Sequence, residues 1–402
     1  MEAMETYINI KQVETELKKL KIPQEYNYIS PWEIFNNEYS FYVSVRECGK
    51  TTNALIIGLV LYKLYGTKTE YLRCDEDQVK RAQIEQLYGT VKGCGYIEKI
   101  FPKMWNDIEY SQIKKCFYLI ARDGEGAVIK RDTTPFCAVH SNEMWQKLKS
   151  SYNSVKSDYI IVDELMDSKR QTVNQMTELM NNISTIGRVN SPQRCNNVHI
   201  ICLSNNTNPF SFWWEEFEIA SQVKELKEFG ETFNYETSLG VKIFFKSIEL
   251  TKETKKKIER KKIPFFGFNT RKMAQFNGMQ IWAGLDYPHI PDPEMLDPKF
   301  KIFENFYIYN RNRYIKINLY YSREHQYYVF LHFANEPKLK DRVIFTLNPL
   351  KENEIYGFGN YSDAIKVNEN MRKLLRLKKE NRWYYENNQI GRIIDDYCKD
   401  AQ

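Results

Sequence analysis

The stretch "FYVSVRECGKTTNALIIGLVLYKLYG", Phe41 to Gly66, constrains the fold more than any other. Phe41–Val45 reads as a strand and Thr51–Tyr65 as a helix, with the loop "SVRECGKTT" between them. A strand that turns sharply into a helix aims successive backbone N–H groups and the positive end of the helix dipole at one point. That is the geometry of a phosphate cradle. The pattern G-x-x-x-x-G-K-[ST] describes it, but Ser44 stands where the first glycine belongs and Arg46 lies inside the loop. Gly49 permits close backbone approach, Lys50 reaches the β- and γ-phosphates, and the Thr51 hydroxyl holds Mg²⁺. The candidate nucleotide-binding residues are therefore Arg46, Glu47, Cys48, Gly49, Lys50, Thr51 and Thr52. The competing reading is a chance G-K-T in a surface turn.

A working loop requires a second motif, an apolar strand that ends in an acid. "SDYIIVDEL" supplies it: Tyr159–Val162 is the strand, Asp163 the acid that holds Mg²⁺ through water, and Glu164 the general base. "VHIICLSNNTNP" is a third signal. Its strand ends in Ser204 and Asn205, short polar side chains suited to sensing a γ-phosphate. Alone, such an ending is an ordinary turn; its place one strand and one helix after Asp163 and Glu164 gives it weight.

The 402 residues have room for two domains, or two and a connector. No apolar run reaches the roughly 20 residues of a membrane helix, and the charged N-terminus lacks the apolar core of a signal peptide. The eight cysteines are scattered without a C-x-x-C pair, which argues against zinc and for a reducing compartment. A net charge of +6 is compatible with a polyanionic partner.

Short apolar runs alternate with helical patterns through the first half, the order of a parallel α/β sheet. Further strands are expected at Glu70–Arg73, Cys116–Ala121, Ala138–His140 and Val198–Leu203, with a helix at Gln171–Ser184. Runs such as "YIIV" are apolar on both faces, as strands covered on both sides must be. The expected division is a P-loop domain over 1–215, a connecting helical region over 216–255 and an α+β domain over 256–402. The last opens with three alternating aromatic strands, "FYIYN", "YIKINLYYS" and "YYVFLHF", then "RVIFTL" and a helix-rich tail. That is the order of an RNase H-like domain, an order that many other α+β folds share.

A loop that lacks the first glycine and carries an arginine, then apolar-Asp-Glu, then strand-Ser-Asn resembles the ATPase domain of viral large terminases. "EMWQKLKSSYNSVKSDYIIVDE" and "STIGRVNSPQRCNNVHIICLSNNTNP" are similar to segments of the compact DNA-packaging ATPases of phi29-like tailed phages. The resemblance covers roughly residues 40–75 and 140–215. It implies an ASCE-type P-loop ATPase using ATP and Mg²⁺. Arg188 falls on the family's trans-acting arginine finger, with Arg194 six residues on as an alternative, and Lys149 on a second trans-acting basic residue. It implies double-stranded DNA, a portal at the procapsid vertex and a ring of like subunits, a pentamer in that family, as partners. A packaging RNA is a further partner it admits, and no membrane is involved. The place of action is the host cytoplasm, transiently on the procapsid.

A two-metal nuclease needs clustered carboxylates. "IFENFYIYN" offers only Glu304 near its start, and the next two strands carry no acid. Asp286 lies in a turn-rich stretch, and Asp395 and Asp396 read as a solvated helix face. An RNase H-like domain without nuclease activity is expected, binding DNA through basic stretches such as Lys252–Lys262 and Met371–Tyr385. A terminase with a working nuclease, and a P-loop scaffold or switch that moves nothing, are the alternatives.

Overall fold

The computed structural model describes residues 8–23, 29–44, 48–74, 76–142, 157–165, 173–187, 198–205, 211–226, 230–249, 290, 301–310, 312–321, 326–338, 343–356, 374 and 376–400. The chain divides into two compact units, residues 1–282 and 283–402.

In the first unit the described strands are β1 (Tyr39–Ser44), β2 (Thr69–Arg73), β3 (Asp107–Ser111), β4 (Cys116–Arg122), β5 (Val128–Arg131), β6 (Cys137–Ser141), β7 (Tyr159–Asp163), β8 (His199–Asn205), β9 (Thr232–Glu236) and β10 (Lys242–Ser247). They form one sheet in the order β3-β4-β6-β2-β7-β8-β1-β10-β9, with β5 paired to β4. The run β6-β2-β7-β8-β1-β10 is parallel; β3, β4, β5 and β9 pair antiparallel at its margins.

Alternation along the central strands feeds two cores. Tyr42, Tyr159, Ile161, Ile201 and Leu203 join one, whereas Phe41, Val43, Ile160, Val162, Ile200 and Cys202 join the other. The first core is filled by helix α3 (Lys50–Tyr65), in which every residue from Ala54 to Leu61 is buried. Helix α1 (Ile10–Lys19) and the short helices Gly89–Gly93 and Tyr96–Ile100 pack on α3, which explains why it is apolar all round. Helix α2 (Pro31–Phe35) leads into β1; Ser30 and Glu33 close its N-terminus with a reciprocal capping box. The second core takes the helix Val173–Gly187 through Met176, Leu179, Ile183 and Ile186.

The region expected as a helical connector over 216–255 is built differently. After the short helices Phe212–Glu216 and Ala220–Glu225, with Trp213 and Trp214 fully buried, the chain forms the β9–β10 hairpin. β10 lies parallel against β1, pairing Phe41 with Phe245. The first sheet thus extends through Ser247 rather than ending near residue 215. The centre of the sheet is parallel as expected, and antiparallel partners close both margins.

The second unit holds a sheet of six described strands, β11 (Lys301–Asn310), β12 (Arg313–Tyr321), β13 (Tyr327–Ala334), β14 (Ile344–Thr346), β15 (Glu354–Tyr356) and β16 (Trp383–Tyr385). Their order is β15-β14-β11-β12-β13-β16. An antiparallel meander is followed by β14 parallel beside β11 and β15 parallel beside β14. This is the RNase H-like strand order. Ile390, Ile393, Ile394 and Tyr397 of the helix Asn388–Asp400 bury against this sheet. Asp395 pairs with Lys378 at 3.2 Å and Arg376 with Glu380 at 3.1 Å, so part of the basic tail is already neutralised. Asp286, the basic run 252–262 and the Asp396 side chain lie outside the described residues.

Candidate functional site

Four parallel strands end at one crevice. Register puts Ser44 of β1 beside Asn205 of β8, and Arg73 of β2 beside Asp163 of β7. Ligand sites of open α/β sheets lie outside the carboxyl ends of the strands, where these residues sit. A cavity of about 680 Å³ opens here, lined among others by Gly49, Lys50, Thr51, Thr52, Asp163, Glu164, Ser204 and Asn205.

Gly49 caps α3 with φ 80°, a left-handed conformation that costs glycine little and places the first amides of the helix at the cavity. Asn53 closes this turn, with both its N–H and its Nδ2 donating to the Gly49 carbonyl. Lys50 is buried and its Nζ donates to Ser44 Oγ, with Cys48 Sγ 3.7 Å away. Ser44, standing where the G-x-x-x-x-G-K-[ST] pattern has glycine, thus receives the Lys50 ammonium. Cys48 is itself buried.

Asp163 joins the loop to β7. Its Oδ2 accepts from Thr51 Oγ1 at 3.0 Å and from the Tyr71 hydroxyl at 2.6 Å, and its Oδ1 accepts from the Glu164 N–H. A hydroxyl and a carboxylate this close make a hard-oxygen donor set of the kind Mg²⁺ takes. Glu164 has φ 58°. A non-glycine residue held there stores on the order of 1 kcal/mol or more, a feature that clusters at functional sites. Ser204 is buried, and its hydroxyl donates to the Asn205 carbonyl.

Two residues of this cluster escape the sequence motifs, Tyr71 and Arg73. Arg73 Nε donates to Tyr71 Oη at 2.9 Å, its Nη1 donates to Glu164 Oε2 at 3.1 Å, and its Nη2 lies 3.5 Å from Asp163 Oδ2. Burial opposes the Arg73 charge, but Tyr71, Asp163 and Glu164 outweigh it and hold the guanidinium above its ordinary value. Burial, then the Asp163 charge, pushes the Tyr71 phenol well up, so it remains a donor. The available signal was an arginine ending the buried strand "TEYLR" beside the strand "YIIVD".

The structure therefore gathers Cys48, Gly49, Lys50, Thr51, Thr52, Asp163, Glu164, Ser204 and Asn205 around one cavity. Arg46, Glu47, Lys149, Arg188 and Arg194 lie outside the described residues. Among the described residues, no three His, Cys, Asp or Glu side chains cluster as a further metal site, and no helix is long and apolar enough to cross a membrane.

No family model and no curated protein sequence matches the chain. Solved structures do. The bacteriophage Phi-29 viral genome packaging motor assembly is similar at 17% identity and TM-score 0.53, over 94% of this chain and 100% of that one. The Phi-28 DNA packaging motor is similar at 16% identity and TM-score 0.49, over 91% and 95%. The N-terminal domain of the DNA packaging ATPase from bacteriophage phi29 gives 18% and 0.39, over 54% and 93%. The first of these shows a shared fold along nearly the whole chain.

Proposed function

We propose that this chain hydrolyses ATP and, as one subunit of a ring, drives double-stranded DNA into a viral procapsid. The observation that carries the reading is the hydrogen bond from Thr51 Oγ1 to Asp163 Oδ2, with Lys50 and Glu164 on the same cavity. A chance G-K-T in a turn has no reason to meet the acid that ends an apolar strand 112 residues away. The fold shared with the Phi-29 packaging motor along 94% of the chain supports the coupling to DNA.

In this reading the amides after Gly49, with Lys50 and Thr52, hold the phosphates. Thr51 and Asp163 would hold Mg²⁺, which supplies charge neutralisation at the β- and γ-oxygens when bound. Glu164 orients and deprotonates the attacking water, Arg73 fixes the two carboxylates, and Ser204 and Asn205 read the γ-phosphate. Arg46 and Glu47 complete the loop, and Arg188 and Lys149 act across a subunit edge. The ring, a pentamer in this proposal, docks on the portal vertex in the host cytoplasm. The second unit grips DNA without cutting it.

Glu164→Gln tests the catalytic assignment. Loss of a general base is expected to lower turnover by about 10²-fold or more while ATP binding persists; wild-type turnover would sink it. Arg188→Ala mixed with Lys50→Ala subunits should regain activity at mixed interfaces, and no recovery at any ratio rules out action in trans. DNA that leaves the ATPase rate unchanged would favour a switch protein, and plasmid cleavage with Mn²⁺ would reinstate a working nuclease.

A further inference from the structure

A second cavity, of about 610 Å³, is an open groove at the far end of β1 from the nucleotide site. Trp32, Asn36 and Asn37 line it from α2 and the turn after it, Asn234 and Glu236 from β9, and Lys242 and Phe244 from β10. Tyr39, which opens β1, pairs with Ile243 beside this groove, whereas Ser44 closes the strand at the nucleotide cavity. At the rise of a strand the two places stand about 17 Å apart.

The groove is aromatic and held in place. Trp32 is 43% exposed, and Phe244 beside it is 7% exposed. The capping box fixes α2, and Glu33 ties the helix to the sheet by accepting from Tyr42 Oη at 2.9 Å and Lys246 Nζ at 2.8 Å. An indole on so firm a support keeps its exposure.

The polar groups mostly accept. Asn36 Nδ2 donates to the Trp32 carbonyl and Asn37 Nδ2 to the Glu33 carbonyl, both at 2.9 Å. A carbonyl only accepts, so both amides are oriented and each keeps Oδ1 as a further acceptor. Glu236 faces Lys242 in the β9–β10 ladder, yet among the described residues no ion pair joins them. Glu38 is occupied by the Lys242 backbone N–H at 2.7 Å. Carboxylates of Glu33, Glu38 and Glu236 against ammoniums of Lys242 and Lys246 leave the groove net negative, on a chain whose charge is +6.

A phosphate is repelled there, and an apolar side chain would bury the acceptors without a donor. A guanidinium suits both aspects, because it stacks on an aromatic face and offers five donors and no acceptor. The groove is open, so a side chain can enter while the backbone that carries it stays outside. Free arginine would instead bring its own carboxylate to a negative surface.

We propose that this groove docks an arginine side chain presented by a protein partner, the guanidinium lying on Trp32 and donating to Glu236 and the asparagine oxygens. The test uses the full chain with isotope-labelled tryptophan rings; the Trp32 indole N–H signal is the one lost in Trp32→Phe. Acetyl-Gly-Arg-Gly-amide should shift that signal saturably, and the citrulline peptide, the same shape without the charge, should bind about tenfold more weakly. Glu236→Gln should weaken the arginine peptide by about threefold and Lys242→Met strengthen it by about as much. Both positions are exposed, so these variants keep the fold and stay informative. Mg-ATP affinity by calorimetry should be the same in both variants as in wild type. Equal binding of the arginine and citrulline peptides, or no saturable shift, overturns the proposal. Inorganic phosphate that shifts the signal saturably shows an anion site, and free arginine that binds as tightly as the peptide shows a small-molecule site; either result overturns it too.

Discussion

Gly58 lies in the middle of α3, facing the first residue of β2. A Cβ added there would fall inside van der Waals contact of Thr69 Oγ1, with Thr69 Cβ at 3.4 Å and Cγ2 at 3.5 Å. Thr69 is 1% exposed and clamped between β6 and β7, paired with Cys137 and Tyr159, so its backbone cannot withdraw. Among the described residues its hydroxyl has no hydrogen-bond partner, so rotating it sacrifices no bond there. The rotation must still seat Cγ2 elsewhere in a close-packed core around a stiff χ1. Overpacking of this kind costs about 1–3 kcal/mol. Exchanging glycine for alanine in a helix returns about 1 kcal/mol. Gly58→Ala should therefore destabilise the first unit by up to about 2 kcal/mol, the difference of those two terms. In a Thr69→Ala background the obstruction is gone and the same change should stabilise by up to about 1 kcal/mol. Native-state hydrogen exchange of the α3 and β2 amides across the four-member cycle measures both numbers in the unit concerned. A coupling energy below about 0.5 kcal/mol would show that the two residues do not meet and refute the packing argument.

Arg73→Lys keeps the charge but loses the planar fork that reaches Tyr71, Asp163 and Glu164 together. ATP turnover should fall by about 10²-fold with a smaller change in KM, as for loss of one preorganised donor, and a wild-type rate would remove Arg73 from the site. Thr51→Val deletes the hydroxyl on Asp163 without changing shape. It should abolish Mg²⁺-dependent turnover yet cost only about 1 kcal/mol of stability, because Tyr71 still donates to the same oxygen. His199 is held below its ordinary 6.5 by burial, against the raising effect of its bond to the Asn37 carbonyl. The unfolded chain therefore takes the proton first, so this contribution is complete above pH 6.5 and declines as pH falls below it. Between pH 8 and 5 the melting temperature of wild type should drop more steeply than that of His199→Gln, and parallel slopes would contradict the assignment.

The elements legible in the sequence are those whose burial writes itself into a short run. β1, β7 and β8 sit between two cores, so "FYV", "YIIV" and "IICL" are apolar at every position and the strands stand out. The start of α3 was legible because Gly49-Lys50-Thr51 marks it. β9 and β10 were not, because "TFNYE" is half exposed and follows an aromatic helical stretch. What makes β10 part of the first sheet is pairing with β1 some 200 residues earlier, which no local pattern encodes. Arg73 was missed for a similar reason. Its neighbours Asp163 and Glu164 come from a different strand, brought alongside only by the β2–β7 register.

The β1–β10 pairing also sets how the P-loop strand feels force. Five register pairs run from Tyr39–Ile243 to Val43–Ser247, and the Ile248 N–H then donates to the Val43 carbonyl, one residue before Ser44. Parallel ladder bonds are evenly spaced along both strands. Tension drawn along the chain beyond Ile248, in line with the strands, therefore loads them together as a shear joint instead of peeling them one by one. The bond nearest the pull is also the one nearest the residue that receives Lys50. A strain too small to open the sheet would still register first where Lys50 meets Ser44 at the cavity.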